Sequence, residues 1–588
     1  MKKESLNTNK KDIVINIMCL IGALIFTLFI WHKFLASGNS IIFIALLYPS
    51  FLTLKKTIEN IDGRKARIIG ITSTIFSIIE VLCTSINYNY SLDYVLNKWL
   101  PINLIGYFII SWIIMSVFFK IYEKVEEKSV NFEFGKISNK NKFLIFLALI
   151  LIARIPYFLT YHPGLLTSDS ITQVEESLGI TEISNHHPLF STAIISVFIN
   201  IGVSWFNNIN VGVALFSIFQ MLIMSIIFAL VLMYLEKKNS NKYVLIGLLL
   251  YYMFYPIHGL FSVTMWKDIL FAGIIPIFIL NTIELINNTD GYLSKVNNYF
   301  LYIIFSIFLI YSRNNGLYVF MLTVPFIAIY LRKKWRKIVP LFVSIIVLYL
   351  CIDIVLFGIL KIKKSQPGEA LSIPIQQIAR TEKYNRETLT DEQKEKINRF
   401  FKVENIGDRY KEVISDPVKS EFNNEYYKEH KGEFYSLWFE LLGPHFKDYV
   451  ESFLSNSFGY YYPAASYWVA NRTLEKNELG IVQSSITEGK IVRKVDSLIE
   501  KREIPIISMM FSIGFAFWLI IWNLAYVILK KEYKFIIIYI PILVLWLTLI
   551  ASPVFCEFRY AYPFFTTIPI FIGLNTIEKE NMKGKKDE

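Results

Sequence analysis

A few polar side chains stand out in an otherwise apolar chain. YHPGLLTSDSITQ (161–173) carries Asp169, NHHPLF carries His186 and His187, and TMWKD carries Lys267 and Asp268. YSRNNG carries Arg313 and Asn314, and CEFRY carries Glu557 and Arg559. A carboxylate in such a set can take a proton from an attacking hydroxyl. Guanidinium and ammonium groups can hold phosphate oxygens, arginine bidentately. Adjacent histidines can donate protons, hydrogen-bond phosphate, or ligate a divalent metal, the one cofactor these residues suggest. Plainer roles stand beside these. Asp169 can complement a helix dipole, Lys267 and Asp268 can pair across a turn, and Arg559 can snorkel to headgroups.

The elements that position these groups must be membrane helices. The chain has 588 residues, 54% of them hydrophobic and 16% aromatic, with mean hydropathy +0.44. Repeated stretches near or above about 17 apolar residues read as spans, about 14 in all. The segments 40–54 and 299–312 are the shortest, and 243–263, 506–529 and 560–578 each read as one continuous span. The fold class is therefore an all-α polytopic membrane protein. Cys19, Cys83, Cys351 and Cys556 form no close pair, so neither a disulfide framework nor a zinc site is indicated.

The net charge of +12 sits mostly in short loops. It reads as membrane orientation rather than as a nucleic-acid footprint. With both termini in the cytoplasm, KKTIENIDGRKAR (55–67), KIYEKVEEK (120–128), EKKNSNK (236–242), RKKWRK (332–337) and KKEYK (530–534) all fall inside. This parity requires that 188–205 not cross fully but lie along or dip into the outer leaflet. The organisation is then 1–141, a four-span unit; 142–360, a membrane core with an extracytoplasmic loop 161–187 and the interfacial segment 188–205; 361–505, an α-rich extracytoplasmic domain; and 506–588, a three-span unit with a cytoplasmic tail. The polar groups named above collect on the outer face, and all seven histidines fall at or beyond that boundary. Ionisable groups so close to hydrocarbon cost about 2.5–3.5 kcal/mol on insertion scales, and such residues tend to be functional.

Within 161–187, Ser170-x-x-Gln173 fits a capping box, and Ile171, Val174 and Leu178 follow at helical spacing up to Gly179. The result is a short interfacial helix with Asp169 at its start. Gln173 and Glu176 can share its polar face. In the late domain, IPIQQIAR (373–380) offers Gln376, Gln377 and Arg380, which either line the site or brace the domain. FGYYYPAASYWVANR (458–472) offers aromatic faces, Tyr461 among them, suited equally to sugar stacking and to interfacial packing.

The pattern resembles the GT-C glycosyltransferases, polytopic enzymes that use polyprenyl-phosphate sugars. In that class a span emerges outside, an acidic residue follows on a membrane-parallel helix, and a His/Lys-Pro-Pro-like element comes next. SDSITQVEE and NHHPLF stand in those places, with Leu189 where the class has a second proline. The set YHPGLLTSDS, NHHP, MWKD, SRNNG, IPIQQIAR, FGYYYP and CEFRYAYP is also similar to an uncharacterised family of bacterial multi-span proteins, over roughly 142–578. The resemblance implies a GT-C-like core in the bacterial plasma membrane, with Asp169 as catalytic acidic residue. It also implies a polyprenyl-phosphate sugar as donor and an envelope glycan, glycolipid or protein as acceptor. The rival readings are a transporter or flippase of lipid-linked sugars or wall precursors, and a non-catalytic envelope assembly protein. No P-loop, GxSxG or HExxH motif is present.

Overall fold

A computed structural model of the chain describes residues 2–34, 40–59, 61–95, 97–128, 137–501, 505–554 and 556–577. The C-terminal tail expected in the cytoplasm lies outside the described residues from 578 onward. Ten of the described helices are long and apolar enough to cross a membrane, or up to 11 if one bent pair counts as a single span. The chain divides into two compact units, Met1–Lys128 with Ile521–Glu532, and Ser129–Ile520 with Tyr533–Glu588.

The first unit holds α1 (Lys2–Phe34), α2 (Ser40–Ile58), α3 (Gly63–Asn89) and α4 (Leu100–Glu127). Asp62 caps α3 by accepting from the backbone N–H groups of Arg64 and Lys65 at 3.0 and 3.3 Å, which satisfies donors the helix cannot. Gly106 lies where a Cβ would meet the Phe29 ring at 2.2 Å, so α4 packs closely on α1. Ile13, Ile17, Met18, Ile41 and Ile44 remain exposed, as expected of lipid-facing surface. At one end the basic loops converge. Lys65 pairs with Glu123 at 2.7 Å, Arg64 donates to the Ile528 carbonyl at 2.7 Å, and Lys530 pairs with Glu126.

The second unit opens with α5 (Asn139–Tyr161), α6 (Ser168–Ser177), α7 (Leu189–Phe206), α8 (Ile209–Lys237), α9 (Lys242–Phe254), α10 (Pro256–Ser262) and α11 (Lys267–Asn287). After α12 (Thr289–Leu293) come α13 (Val296–Ser312), α14 (Asn315–Tyr330) and α15 (Trp335–Asp353), which runs on as a π-helical turn, Ile354–Ile359. Two expected continuous spans differ. Residues 243–263 bend by 46° between α9 and α10, where Pro256 lacks the N–H that would continue the helix. Residues 506–529 break between α23 (Pro505–Met510) and α24 (Ile513–Leu529), whereas the span expected at 560–578 is the continuous α26 (Phe558–Leu574).

The basic loops of this unit also share one end. Lys238 pairs with Glu284 at 2.8 Å, and Lys334 and Lys337 pair with Asp290 at 2.6 and 2.7 Å. Ser240 hydrogen-bonds Thr576 at 3.0 Å. The opposite end carries the polar region, with α16 (Ser372–Asn385), α17 (Asp391–Phe400), α18 (Asp416–Lys419), α19 (Asn424–Glu429), α20 (Lys431–Leu442) and α21 (Phe446–Ser457). These helices close over Ile375, Ile378, Phe400, Phe422, Phe434 and Leu437. Beyond them an extended stretch, α22 (Lys490–Lys501) and α25 (Ile540–Ala551) complete the unit.

The polar region is sewn to the loops that bear the candidate residues. Asn185 donates to the Lys363 carbonyl at 2.9 Å, and Ser415 donates to the Val554 carbonyl at 2.8 Å. The extended stretch laces the same end, as Glu475 donates to the Leu166 carbonyl and Ser484 to that of His162.

Candidate functional site

Two loops are zipped together before the site begins. The Leu165 N–H donates to the Val263 carbonyl, and the Met265 N–H to the Leu165 carbonyl, both at 2.9 Å. Gln220, fully buried on α8, donates to the carbonyls of Phe261 and Thr264 at 2.9 and 2.7 Å. The starts of α6 and α11 therefore lie side by side, which sets Asp169 near Lys267. The capping box of α6 is formed by Thr167 and Ser170, not by Ser170 and Gln173. The register shifts because the Ser170 hydroxyl also bonds the Met265 carbonyl. The expected short helix is present, and Gly179 follows it at φ +71°, a conformation glycine adopts without strain.

Asp169, Lys267, Asp268, Arg313, Glu557, Arg559 and His187 come together. Asp169 Oδ2 accepts from Arg559 Nη1 at 3.0 Å and lies 3.5 Å from Lys267 Nζ. Lys267 Nζ is 2.9 Å from His187 Nδ1. Arg559 also bonds Glu557, donates to the Tyr560 hydroxyl at 3.2 Å, and lies 3.9 Å from Asp268. Asp268 is fully buried and paired with Arg313. Two aromatic faces hold the guanidinium planes, Trp266 at 5.1 Å from Arg559 and Tyr560 at 4.2 Å from Arg313. Trp266 is itself fixed by donating to the Thr167 hydroxyl at 2.8 Å.

The charges set the protonation states. Burial raises the Asp169 carboxyl, but Lys267, Arg559 and His187 outweigh it and hold the group below the usual carboxylate range. Burial, aided by Lys267, pushes the His187 imidazole down to about 4. His187 is therefore neutral near pH 7, and its Nδ1 accepts from the Lys267 ammonium. Burial raises Glu557 against the opposing charge of Arg559.

Other candidates fall elsewhere. His186 is exposed, its ring set edge-on to that of His187 at 4.8 Å. Gln173 donates to Ser191 and Thr192 at 2.8 and 2.9 Å, and Glu176 accepts from the Ser184 N–H at 3.2 Å. That polar face of α6 braces the loop carrying His187. Gln376 donates to the Lys411 and Ile414 carbonyls, Gln377 to the Tyr449 carbonyl, and Arg380 pairs with Glu451. These three brace the polar region and do not reach the cluster. Tyr461 is buried, its carbonyl accepting from Trp518 at 2.9 Å. His258 is wholly enclosed in α10. Among the described residues no group of three or more His, Cys, Asp or Glu side chains is arranged to hold a metal ion.

A cavity of about 810 Å³ adjoins the cluster at Arg313 and Tyr560. Asn314, Asn315, Lys364 and Gln366 stand in its wall, and Leu317, Leu322, Leu547 and Phe357 make an apolar flank. Tyr460, beside the expected Tyr461, lines it. The sequence reading missed Trp266, Tyr560, Tyr460 and Lys364. Trp266 and Tyr560 sit inside the quoted TMWKD and CEFRY stretches, and that adjacency was their only signal.

A profile of a family of unknown function, DUF6020, matches residues 178–588. The match begins after Asp169 and includes every other member of the cluster. No curated protein and no solved structure matches the chain.

Proposed function

The chain belongs to the family of unknown function DUF6020, and for it we propose a membrane glycosyltransferase that moves a sugar from a polyprenyl phosphate to an envelope acceptor on the outer side of a bacterial plasma membrane. The observation that carries this reading is the Asp169 carboxylate held by Arg559 and Lys267 beside a part-apolar cavity that shares Arg313. A lipid-linked donor has this two-part chemistry, an apolar tail and an anionic phosphate. In the reaction an acceptor oxygen bonds the anomeric carbon, the bond from that carbon to the phosphate oxygen breaks, and the polyprenyl phosphate leaves with its electron pair. Asp169 takes the acceptor proton, and the anomeric centre inverts.

The resting ion pairs give this site a built-in order of events. Held by two cations, Asp169 is a weak base. An arriving phosphate competes for Arg559 and Lys267, and frees the carboxylate to act where the acceptor hydroxyl lies. Arg313 and Arg559 then face the charge that develops on the leaving phosphate.

We propose also that α7, although one of the ten helices long and apolar enough to cross a membrane, stays on the outer side. Its first turn follows His187 at the cluster. Its last turn reverses at Asn207 and Asn208 into Asn210, which exchanges hydrogen bonds with Gly480 and Val482 of the lacing stretch. Both ends are thus tied to the layer that holds Leu166 and Asp169.

The test is a reconstituted assay. Protein in nanodiscs is given a panel of polyprenyl-phosphate sugars and candidate acceptors, and released polyprenyl phosphate is followed by mass spectrometry. Release by the wild type and a loss of at least about 100-fold in Asp169→Asn support the reading. In sealed proteoliposomes, donor that crosses the bilayer unconsumed points to transport instead.

A further inference from the structure

Below the cluster lies a cation that the proposed chemistry does not use. Arg154 sits in the middle of α5 and is 1% exposed. None of its three guanidinium nitrogens has a hydrogen-bond partner among the described residues. Its guanidinium carbon lies 5.1 Å from the centre of the Phe228 ring. Against the same Phe228 ring stands His258 on α10, fully buried, its ring 4.8 Å away. His258 Nδ1 is 2.7 Å from the Tyr562 hydroxyl, while Nε2 has no partner among the described residues.

The chemistry of the unused atoms is one-sided. An arginine keeps its charge, and it offers five N–H donors and no acceptor. When Tyr562 donates to Nδ1, His258 carries its proton on Nε2 and offers another donor. A ring face offsets only part of the cost of a desolvated cation, and an uncompensated buried charge is strongly destabilising. What fits is a compact acceptor bearing negative charge. A carboxylate from the protein would be the usual solution, and among the described residues none pairs with Arg154. The rings of Tyr252 and Tyr255 are centred 5.7 and 5.0 Å from His258, and such close aromatic packing favours a small ion over a substrate.

We propose that a small inorganic anion of the halide class binds between Arg154 and His258 inside the helix bundle. It neutralises the guanidinium and ties α5 and α10 to α26 through Tyr562. α10 leads directly to the loop before Lys267, and Tyr562 lies one turn beyond Arg559, so the ion steadies two elements that carry the cluster. This assignment does not depend on the transferase reading.

The experiment uses the full chain, purified in detergent and exchanged into sodium gluconate. Chloride or bromide is titrated in at constant ionic strength while thermal unfolding is followed. A saturable rise in Tm of roughly 2–4 °C is expected for a bound ion that stabilises only the folded state. Arg154→Met should show no halide dependence. Crystals grown in bromide should show an anomalous peak within hydrogen-bond distance of Arg154, a readout that stands even where the variant fails to fold. A wild-type Tm indifferent to halide with no anomalous peak, or an Arg154→Met protein with the wild-type halide response, would overturn the assignment.

Discussion

At the scale of single residues, the cluster is a balance of charges held in place by aromatic faces. His187 shows the balance most directly. Its imidazole titrates at about 4 when folded and near 6.5 when unfolded, so the unfolded chain binds the extra proton between those values. Stability is then full above about pH 6.5 and falls as the pH drops toward 4. Thermal unfolding across that window should show this slope, and His187→Gln should flatten it. Asp268 and Arg313 form the buried pair. Arg313→Met strands a buried carboxylate and should cost about 3–5 kcal/mol in denaturant unfolding, while adding Asp268→Leu should restore much of that. Equal losses in the single and double variants would refute the pairing. The charged members of this cluster were legible because each stood in a short polar break between apolar runs. Trp266 and Tyr560 were not, since an aromatic ring that supports a guanidinium looks in sequence like one that packs in a core. Gln376, Gln377 and Arg380 misled for the converse reason. Polar groups buried to brace a domain carry the same letters as those lining a site.

At the scale of elements, hydrophobic periodicity gave helix existence and missed breaks. The bend before Pro256 and the division of 506–529 sit inside continuous apolar runs, where composition holds no boundary signal. The capping box on α6 was placed by its motif, yet a tertiary bond from Ser170 to Met265 chose another register. The α7–α8 hairpin rests on a backbone approach that sequence does not advertise. A Cβ on Gly202 would lie 2.3 Å from the Gly212 nitrogen, and rigid backbone cannot yield there. Gly202→Ala should therefore destabilise by about 1–3 kcal/mol and quicken proteolysis near 207–208. A variant with wild-type stability would show that the two helices do not meet at these glycines.

At the scale of the whole molecule, the separation of charge was legible and the inner arrangement was not. The sequence reading assigned the short basic loops to one side, and within each unit the basic loops that the structure describes do share one end. Parity decides the rest. On the proposed topology, with α7 on the outer side, cysteines placed at 237–241 should be unreactive to an impermeant thiol reagent in intact cells, and a cysteine at Lys476 should react. The reverse pattern would place the cluster in the cytoplasm and remove the basis for an outer-leaflet reaction. The polar region was recognised by composition alone. Its attachment to the loops before His187 and Glu557 depends on backbone hydrogen bonds across more than a hundred residues of chain, which no local pattern encodes. The claim at the centre of this account is that Asp169 is the base of a sugar transfer. It is tested most directly by mass spectrometry of lipid-linked sugars and surface glycans in the native host, comparing the intact gene, a deletion, and Asp169→Asn at matched protein level. Both changes should remove the same surface sugar and leave its polyprenyl-phosphate donor to accumulate. A deletion that alters the glycans while Asp169→Asn restores the normal profile would contradict it.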